Sequence, residues 1–273
     1  MAKLELPAFI SKHLTENAFD QVMQLQGRVY RNVTGRRTVQ VQFGGESYFV
    51  KQHFGVGWKE IFKSFLSFKA PILGALTEVR AIQKLVDIGI NTTPLVGYGV
   101  RGCNPATQQS FIITKDLGDI VSLEDLCASW ASNPLDARFK KRLIIAVAEL
   151  ARKLHKNGLN HRDFYLCHLC LDAPALQQGQ IKLYLIDLHR MQVHAQPAMK
   201  AVMKDIAGLY FSSMDVELTA RDYLRFKRHY AAGFASVDSS FWQSVAARAD
   251  KLYAKFHSDK FQKRLQQEHA AVD

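Results

Sequence analysis

Two aspartates in this chain sit among residues whose types could do chemistry. Asp163 lies in His161-Arg162-Asp163-Phe164-Tyr165-Leu166-Cys167-His168, within a loop-like stretch, 159–172, rich in functional side chains. Asp187 closes a short apolar run, Leu185-Ile186-Asp187-Leu188. Carboxylates in such places take protons or hold hard divalent cations through oxygen. Upstream, Lys51 follows Tyr48-Phe49-Val50, and Glu78 stands in Thr77-Glu78-Val79-Arg80. Taken singly, a strand lysine and a helix glutamate are ordinarily solvated. Cys167-x-x-Cys170, with His161 and His168 nearby, has the ligand types of a zinc site. A structural zinc site needs a second ligand pair at matching spacing, and none follows, so two half-buried thiols are the plainer reading. His155, His189 and His194 read as surface or satisfied histidines.

The elements that must position these residues fall into two halves. Residues 28–33, 37–43 and 47–52 are three short β-rich runs, separated by Thr34-Gly35-Arg36 and Gly44-Gly45-Glu46. That pattern predicts a three-stranded meander. A helix is expected at about 56–69 and another from about 75 to 88, ended by Gly89. Strands fit 95–101 and 110–115. After Leu117-Gly118 the character changes. Ser122 with Glu124 and Asp125 reads as a helix start. Leu143, Ile144, Val147, Leu150, Ala151 and Leu154 recur at helical spacing across 138–157, which Asn157-Gly158 ends. Residues 181–188 read as a strand, and from about 198 the pattern is helical to the C-terminus. The fold class is α+β: a β-rich first lobe over 1–117, then a mostly helical second lobe over 118–273, with a cleft between them.

The HRD string and the later Ile186-Asp187, in this order and context, resemble the catalytic and metal-binding parts of the protein-kinase-like fold. The match narrows with HRDFYLCHLCLD, IDLHR, and Gly57-Trp58-Lys59-Glu60-Ile61-Phe62-Lys63. Together they are similar to the bacterial lipopolysaccharide kinase family, whose members phosphorylate heptose sugars of the lipopolysaccharide inner core. The likeness runs from the first hairpin to Lys204-Asp205-Ile206-Ala207-Gly208-Leu209-Tyr210. It implies one bilobed kinase-like domain using ATP and Mg²⁺. Asp163 would be the catalytic base, Asp187 the principal metal ligand, Lys51 the phosphate-contacting lysine and Glu78 its partner. The chemistry suits these types: a triphosphate must be positioned and its charge neutralised while a hydroxyl loses its proton.

Three departures from ordinary protein kinases stand out. No G-x-G-x-x-G loop is present, so the Thr34-Gly35-Arg36-Arg37 turn must cover the phosphates, with basic side chains available to assist; no P-loop motif appears either. His168 occupies the position of the metal-binding asparagine, as in the lipopolysaccharide kinase pattern. Imidazole is a poorer magnesium ligand than oxygen, so His168 either ligates the metal or orients Asp163 or the acceptor. After Asp187 come Leu-His-Arg, with no Phe-Gly and no later A-P-E, which argues against a phosphorylated activation loop and a protein substrate. Asp205 has two readings, a buried anchor for the catalytic-loop backbone or a carboxylate at a helix N-terminus.

Composition bounds the partners. The chain has 273 residues, 48% hydrophobic and 22% charged, which excludes extensive disorder. The 36 lysines and arginines against 25 acids leave +11, which favours an anionic partner. Four cysteines are too few for a disulfide scaffold at this length. No signal-peptide stretch opens the chain, and no apolar run approaches the roughly 18 residues of a spanning helix. Within 58–71, Trp58, Ile61, Phe62, Phe65 and Leu66 fall at i, i+3, i+4, i+7 and i+8, accompanied by Lys59, Lys63 and Lys69. Such a helix either meets an anionic membrane surface or packs on the first lobe. The basic run 221–229 could meet glycolipid phosphates or be a solvated helix face, and the solvated face is the plainer reading.

The expectation is therefore an ATP-dependent heptose kinase acting on the lipopolysaccharide core glycolipid. It would be cytoplasmic and peripheral at the inner membrane, with no nucleic-acid partner. The rivals are a kinase-fold enzyme with another small-molecule or protein acceptor, and a non-catalytic polyanion- or membrane-binding module.

Overall fold

The computed structural model describes residues 3–14, 17–33, 35–58, 62, 74–130 and 134–270. The chain divides into two compact units, Met1–Gly118 with Leu185–Met191, and Asp119–Tyr184 with Gln192–Asp273.

The first unit is built on a six-stranded antiparallel sheet. Its strands are β1 (Lys3–Glu5), β2 (Arg28–Val33), β3 (Arg36–Phe43), β4 (Glu46–His53), β5 (Leu95–Arg101) and β6 (Gln109–Lys115), in the spatial order β1-β5-β6-β4-β3-β2. The expected meander is β2-β3-β4. Gly44 and Gly45 make its second turn with φ of +59° and +83°, and Phe43 faces Glu46 across it. A two-residue turn with both central residues at positive φ matches strand twist, and glycine adopts it without a Cβ clash. The N-terminal segment adds what the pattern did not reveal: β1 pairs with β5, and two short helices follow, α1 (Ala8–Ser11) and α2 (Ala18–Gln24).

Side chains alternate across the sheet. Val39, Val41, Tyr48, Val50, Phe111 and Ile113 lie on one face and bury against Ile10, Phe19, Val22 and Met23 from the two short helices. The register pairs Arg36 with His53 and Thr38 with Lys51, so these four share the opposite face. There α3 (Leu76–Asp87) begins; the Ser110 Oγ accepts a hydrogen bond from Ala75 N at 3.0 Å. Of the helix expected at 56–69, only Gly57, Trp58 and Phe62 are helical among the described residues; Val56 is not helical, and 59–61 and 63–69 lie outside them. Trp58 and Phe62 are both exposed, with ring centroids 6.1 Å apart.

The second unit is mostly helical. After β7 (Ile120–Ser122) comes α4 (Leu123–Ala128), capped by Ser122 Oγ accepting from Asp125 N. The long α5 (Ala137–Lys156) is capped by the Asp136 carboxylate, which accepts from Arg138 N and Phe139 N. It buries Leu143, Val147, Leu150 and Leu154 along one stripe. Then come β8 (Leu159–Asn160), a 3₁₀ turn (Leu166–His168), β9 (Leu169–Asp172), α6 (Ala173–Gln177), β10 (Leu183–Leu185), a second 3₁₀ turn (Leu188–Arg190) and β11 (Gln192–Val193). Four helices complete the chain: α7 (Met199–Ser212), α8 (Ala220–Ala231), α9 (Ser239–Phe256) and α10 (Asp259–Ala270). Among the described residues no helix is long and apolar enough to cross a membrane.

The strand expected over 181–188 is a correction. It stops at Leu185, because Asp187 takes a left-handed conformation, φ 60° and ψ 55°, that no strand can continue through. Leu185 is held where the strand ends: its N–H donates to Asn91 O at 2.9 Å, and its carbonyl accepts from Thr92 Oγ1 at 2.6 Å.

The packing of the sheet yields a test. A Cβ at Gly99 would lie 2.6 Å from the Phe111 ring, which is fully buried and wedged against Phe19. Gly99→Ala is expected to destabilise the protein by about 1–3 kcal/mol through overpacking, read as a lower urea midpoint at unchanged slope.

Candidate active site

Lys51 leaves the sheet on the face that carries α3. Its Nζ meets Glu78 Oε1 at 2.6 Å, with the Glu78 side chain 4% exposed and Lys51 21%. Alternation in β4 aims the lysine, and the first turn of α3 supplies the acid. The second carboxylate oxygen, Glu78 Oε2, is buried without a hydrogen-bond partner among the described residues. A pair this deep is costly to break from one side, because the remaining charge is left buried and unpaired.

Asp187 belongs to the same unit. Its left-handed backbone turns the chain into the 3₁₀ segment Leu188–Arg190, against which α3 packs. His189 Nδ1 sits 2.5 Å from Asp187 Oδ1. His53 lies two residues beyond Lys51 on the same face, buried, and its Nε2 has no hydrogen-bond partner among the described residues. Burial, then the charges of Arg36 and Lys51, hold its pKa down at about 4.

Asp163 and His168 lie in the second unit and are tied together through backbone. His168 Nδ1 is 2.7 Å from Asp163 O. A carbonyl only accepts, so Nδ1 carries the proton in this hydrogen bond. Behind this loop, Asp205 in α7 is 2% exposed. Its carboxylate accepts from His161 N at 2.7 Å and from Arg162 N at 2.9 Å. Of the two readings of Asp205, the structure selects the buried anchor. Arg162 adopts φ 73° to present its N–H, a conformation that costs a non-glycine residue of order 1 kcal/mol or more. His155, also buried, reaches Asp205 Oδ2 at 3.3 Å through Nε2 and Tyr230 OH at 2.7 Å through Nδ1. His155 fits its reading as a satisfied histidine, but the anchor it completes with Tyr230 came from no local signal: the two are 75 positions apart. Cys170 is a buried thiol whose Sγ donates to Cys167 O, and burial pushes its pKa up to about 11.

The basic run 221–229 lies on α8, where Thr219 and Asp222 form a reciprocal cap. Asp222 also holds Arg225 at 2.7 Å and Lys140 at 3.3 Å. Beneath α8, an apolar cavity of about 470 Å³ is lined by Leu143, Ile206, Leu209, Trp242, Val245 and Ala246, among others. Cys127 also lines it, and burial holds that thiol up at about 12.

The lipopolysaccharide kinase (Kdo/WaaP) family profile matches residues 20–230. The chain is 47% identical over 242 residues to the lipopolysaccharide core heptose(I) kinase WaaP of Escherichia coli strain K12, covering 87% of this chain and 91% of that one. It is 45% identical over 214 residues to the Pseudomonas aeruginosa protein of the same name, covering 78% and 80%. Among solved structures, WaaP in complex with acyl carrier protein superposes with a TM-score of 0.78 at 35% identity, covering 92% of this chain and 99% of that one.

The environment of His53 sets a pH dependence. Unfolded, a histidine titrates near its ordinary 6.5; folded, His53 titrates at about 4. Between those values the unfolded chain binds the extra proton, so stability falls as pH drops through the window. From pH 7 to about 4.5 the protein should lose ~2–3 kcal/mol that His53→Gln does not lose, measured as the difference in urea midpoints across pH.

Proposed function

The chain belongs to the lipopolysaccharide kinase (Kdo/WaaP) family, and from that footing we propose how its residues divide the work. The protein is an ATP-dependent phosphotransferase that phosphorylates a heptose of the lipopolysaccharide core. The acceptor is heptose(I), the sugar named for its relatives. What supports the assignment of residues best is the largely buried Lys51–Glu78 pair, which keeps an ammonium fixed on one sheet face.

Lys51 meets the phosphates of ATP, and Glu78 holds it there. Asp163 orients the heptose hydroxyl and takes its proton. The hydroxyl oxygen then attacks the γ-phosphorus in line, the bond to the bridging oxygen breaks, and ADP leaves. Asp205, with His155 and Tyr230 behind it, fixes the backbone from which Asp163 projects. The donor set suits Mg²⁺, which takes one or two carboxylates and fills its shell with substrate phosphates and water. Asp187, on a side chain 31% exposed, would be its principal ligand. His168 would be at most a second, poorer donor through its ring nitrogen, and its bond to the Asp163 carbonyl fixes that peptide. When bound, the ion neutralises charge on the transferring group.

Two partners complete the reading. The enzyme works as a peripheral protein at the cytoplasmic face of the inner membrane, its +11 charge meeting an acidic, phosphorylated acceptor. Acyl carrier protein, the partner in the solved relative, also binds here, and the apolar cavity under α8 takes its acyl chain.

Two measurements test this. Phosphate from γ-labelled ATP should pass to purified core glycolipid only when its heptose is present, and Asp163→Asn should lower kcat about 10²–10⁴-fold. Labelling that ignores the heptose would overturn the acceptor assignment. Acylated carrier protein should bind more tightly than its unacylated form, and Ala246→Trp, which narrows the cavity, should abolish that difference.

A further inference from the structure

The first hairpin has no glycine-rich loop, yet the phosphates of a bound nucleotide need covering. Resting on the kinase reading above, we propose that Arg36 is a phosphate-binding residue: its guanidinium contacts the terminal phosphates of ATP from the start of β3.

Strand parity selects this arginine. Arg36 faces His53, and Thr38 faces Lys51, so Arg36 and Lys51 stand diagonally on one face of the β3–β4 pair. Such neighbours lie roughly 7–8 Å apart at Cα, within reach of one polyphosphate. Arg37 faces Gln52 and goes to the other side, where its Nη2 donates to Gln26 Oε1 at 2.9 Å. Sequence alone could not separate the two arginines.

The charge around Arg36 is unbalanced. It is half-buried and makes no hydrogen bond or ion pair through its side chain among the described residues. Of the acids it feels, Glu78 is matched by Lys51, and Asp187 is hydrogen-bonded by His189. Arg31 adds a like charge, and burial with that neighbour lowers the guanidinium's pKa. A desolvated cation without its own counter-ion is costly, and an anion that brings several oxygens relieves it. His53, directly across the strand pair, is more than nine-tenths buried and leaves its Nε2 without a partner among the described residues. A neutral imidazole under a guanidinium adds no repulsion, so the site stays open to an anion.

The backbone at this point is braced. Gly35, at φ +78°, lies so close to Gly55 that an added Cβ would sit 2.7 Å from Gly55 O. Phe54 N donates to Gly35 O at 2.9 Å. Gly55, at φ +87°, packs as closely on Ala106 O, which accepts from Gly57 N at 2.9 Å. The glycines here fix the strand start from which Arg36 projects.

The test is equilibrium binding of Mg·ATP, Mg·ADP and adenosine to wild type, Arg36→Met, Arg36→Lys and Arg37→Met, with Tm recorded for each. Arg36→Met should weaken ATP about ten- to hundredfold, the loss of one charge-assisted contact, while adenosine binds as before. Arg36→Lys should recover only part, since an ammonium lacks the planar fork; it also serves as the variant of record if Arg36→Met does not fold. Arg37→Met should bind ATP as wild type does. ATP affinity in a folded Arg36 variant within twofold of wild type overturns the inference alone. Equal loss of adenosine and ATP also overturns it, by pointing to collapse of the site. Failure of the wild type to bind ATP overturns the kinase reading and this inference with it.

Discussion

If β4 slipped by one residue against β3, Lys51 and His53 would turn into the apolar layer under α2, and Val50 would face Glu78. A one-residue slip reverses every side chain of a strand. Here that would bury an ammonium without its acid and expose valines to solvent, so the apolar face and the charged face enforce the same register. The Gly44-Gly45 turn fixes it a third time, since a two-residue loop allows Phe43 to pair only with Glu46. The Lys51–Glu78 pair, the place of His53 and the choice of Arg36 over Arg37 all follow from this parity.

The second unit solves a similar problem with one carboxylate. The loop that carries Asp163 has no ladder to hold it, so its N–H groups need another acceptor. Asp205 takes two of them, at His161 and Arg162, and is itself held by His155. Among the described residues, the non-glycine residues at positive φ are Arg162 and Asp187. Each stands at or beside a residue assigned to chemistry. Strain persists only where the surroundings over-determine it, and here a buried carboxylate and the clamped end of β10 do so.

Much of this was legible in the sequence because the signals were local. The meander showed in its β-branched and aromatic runs and glycine turns; α5 showed in its apolar stripe and Asn157-Gly158 stop. Lys51, Glu78, Asp163, His168 and Asp187 were singled out by order and context, and their roles stand as the proposal made above. Signals that depend on distant partners stayed hidden. β1 is three residues long and exists through its pairing with β5. The run 181–188 has strand composition throughout, and only the left-handed Asp187 cuts it short. His155 and Tyr230 read as unremarkable until α5 and α8 bring them together.

The absence of a glycine-rich loop then has a physical meaning. Such a loop grips phosphates with backbone N–H groups, which requires a turn free of side chains and able to close over the nucleotide. In this chain the nearby glycines are spent on close backbone contacts, Gly35 just before β3 on Gly55, and Gly55 just after β4 on Ala106. A braced hairpin cannot drape over a ligand, but it can hold a long side chain at a fixed root. Arginine suits that arrangement, since its planar fork reaches outward and matches phosphate oxygens in pairs. The hairpin thereby exchanges backbone donors on a mobile turn for a side-chain cation on a rigid strand. Recognition at that point shifts from the shape of the nucleotide toward the charge on its terminal phosphates.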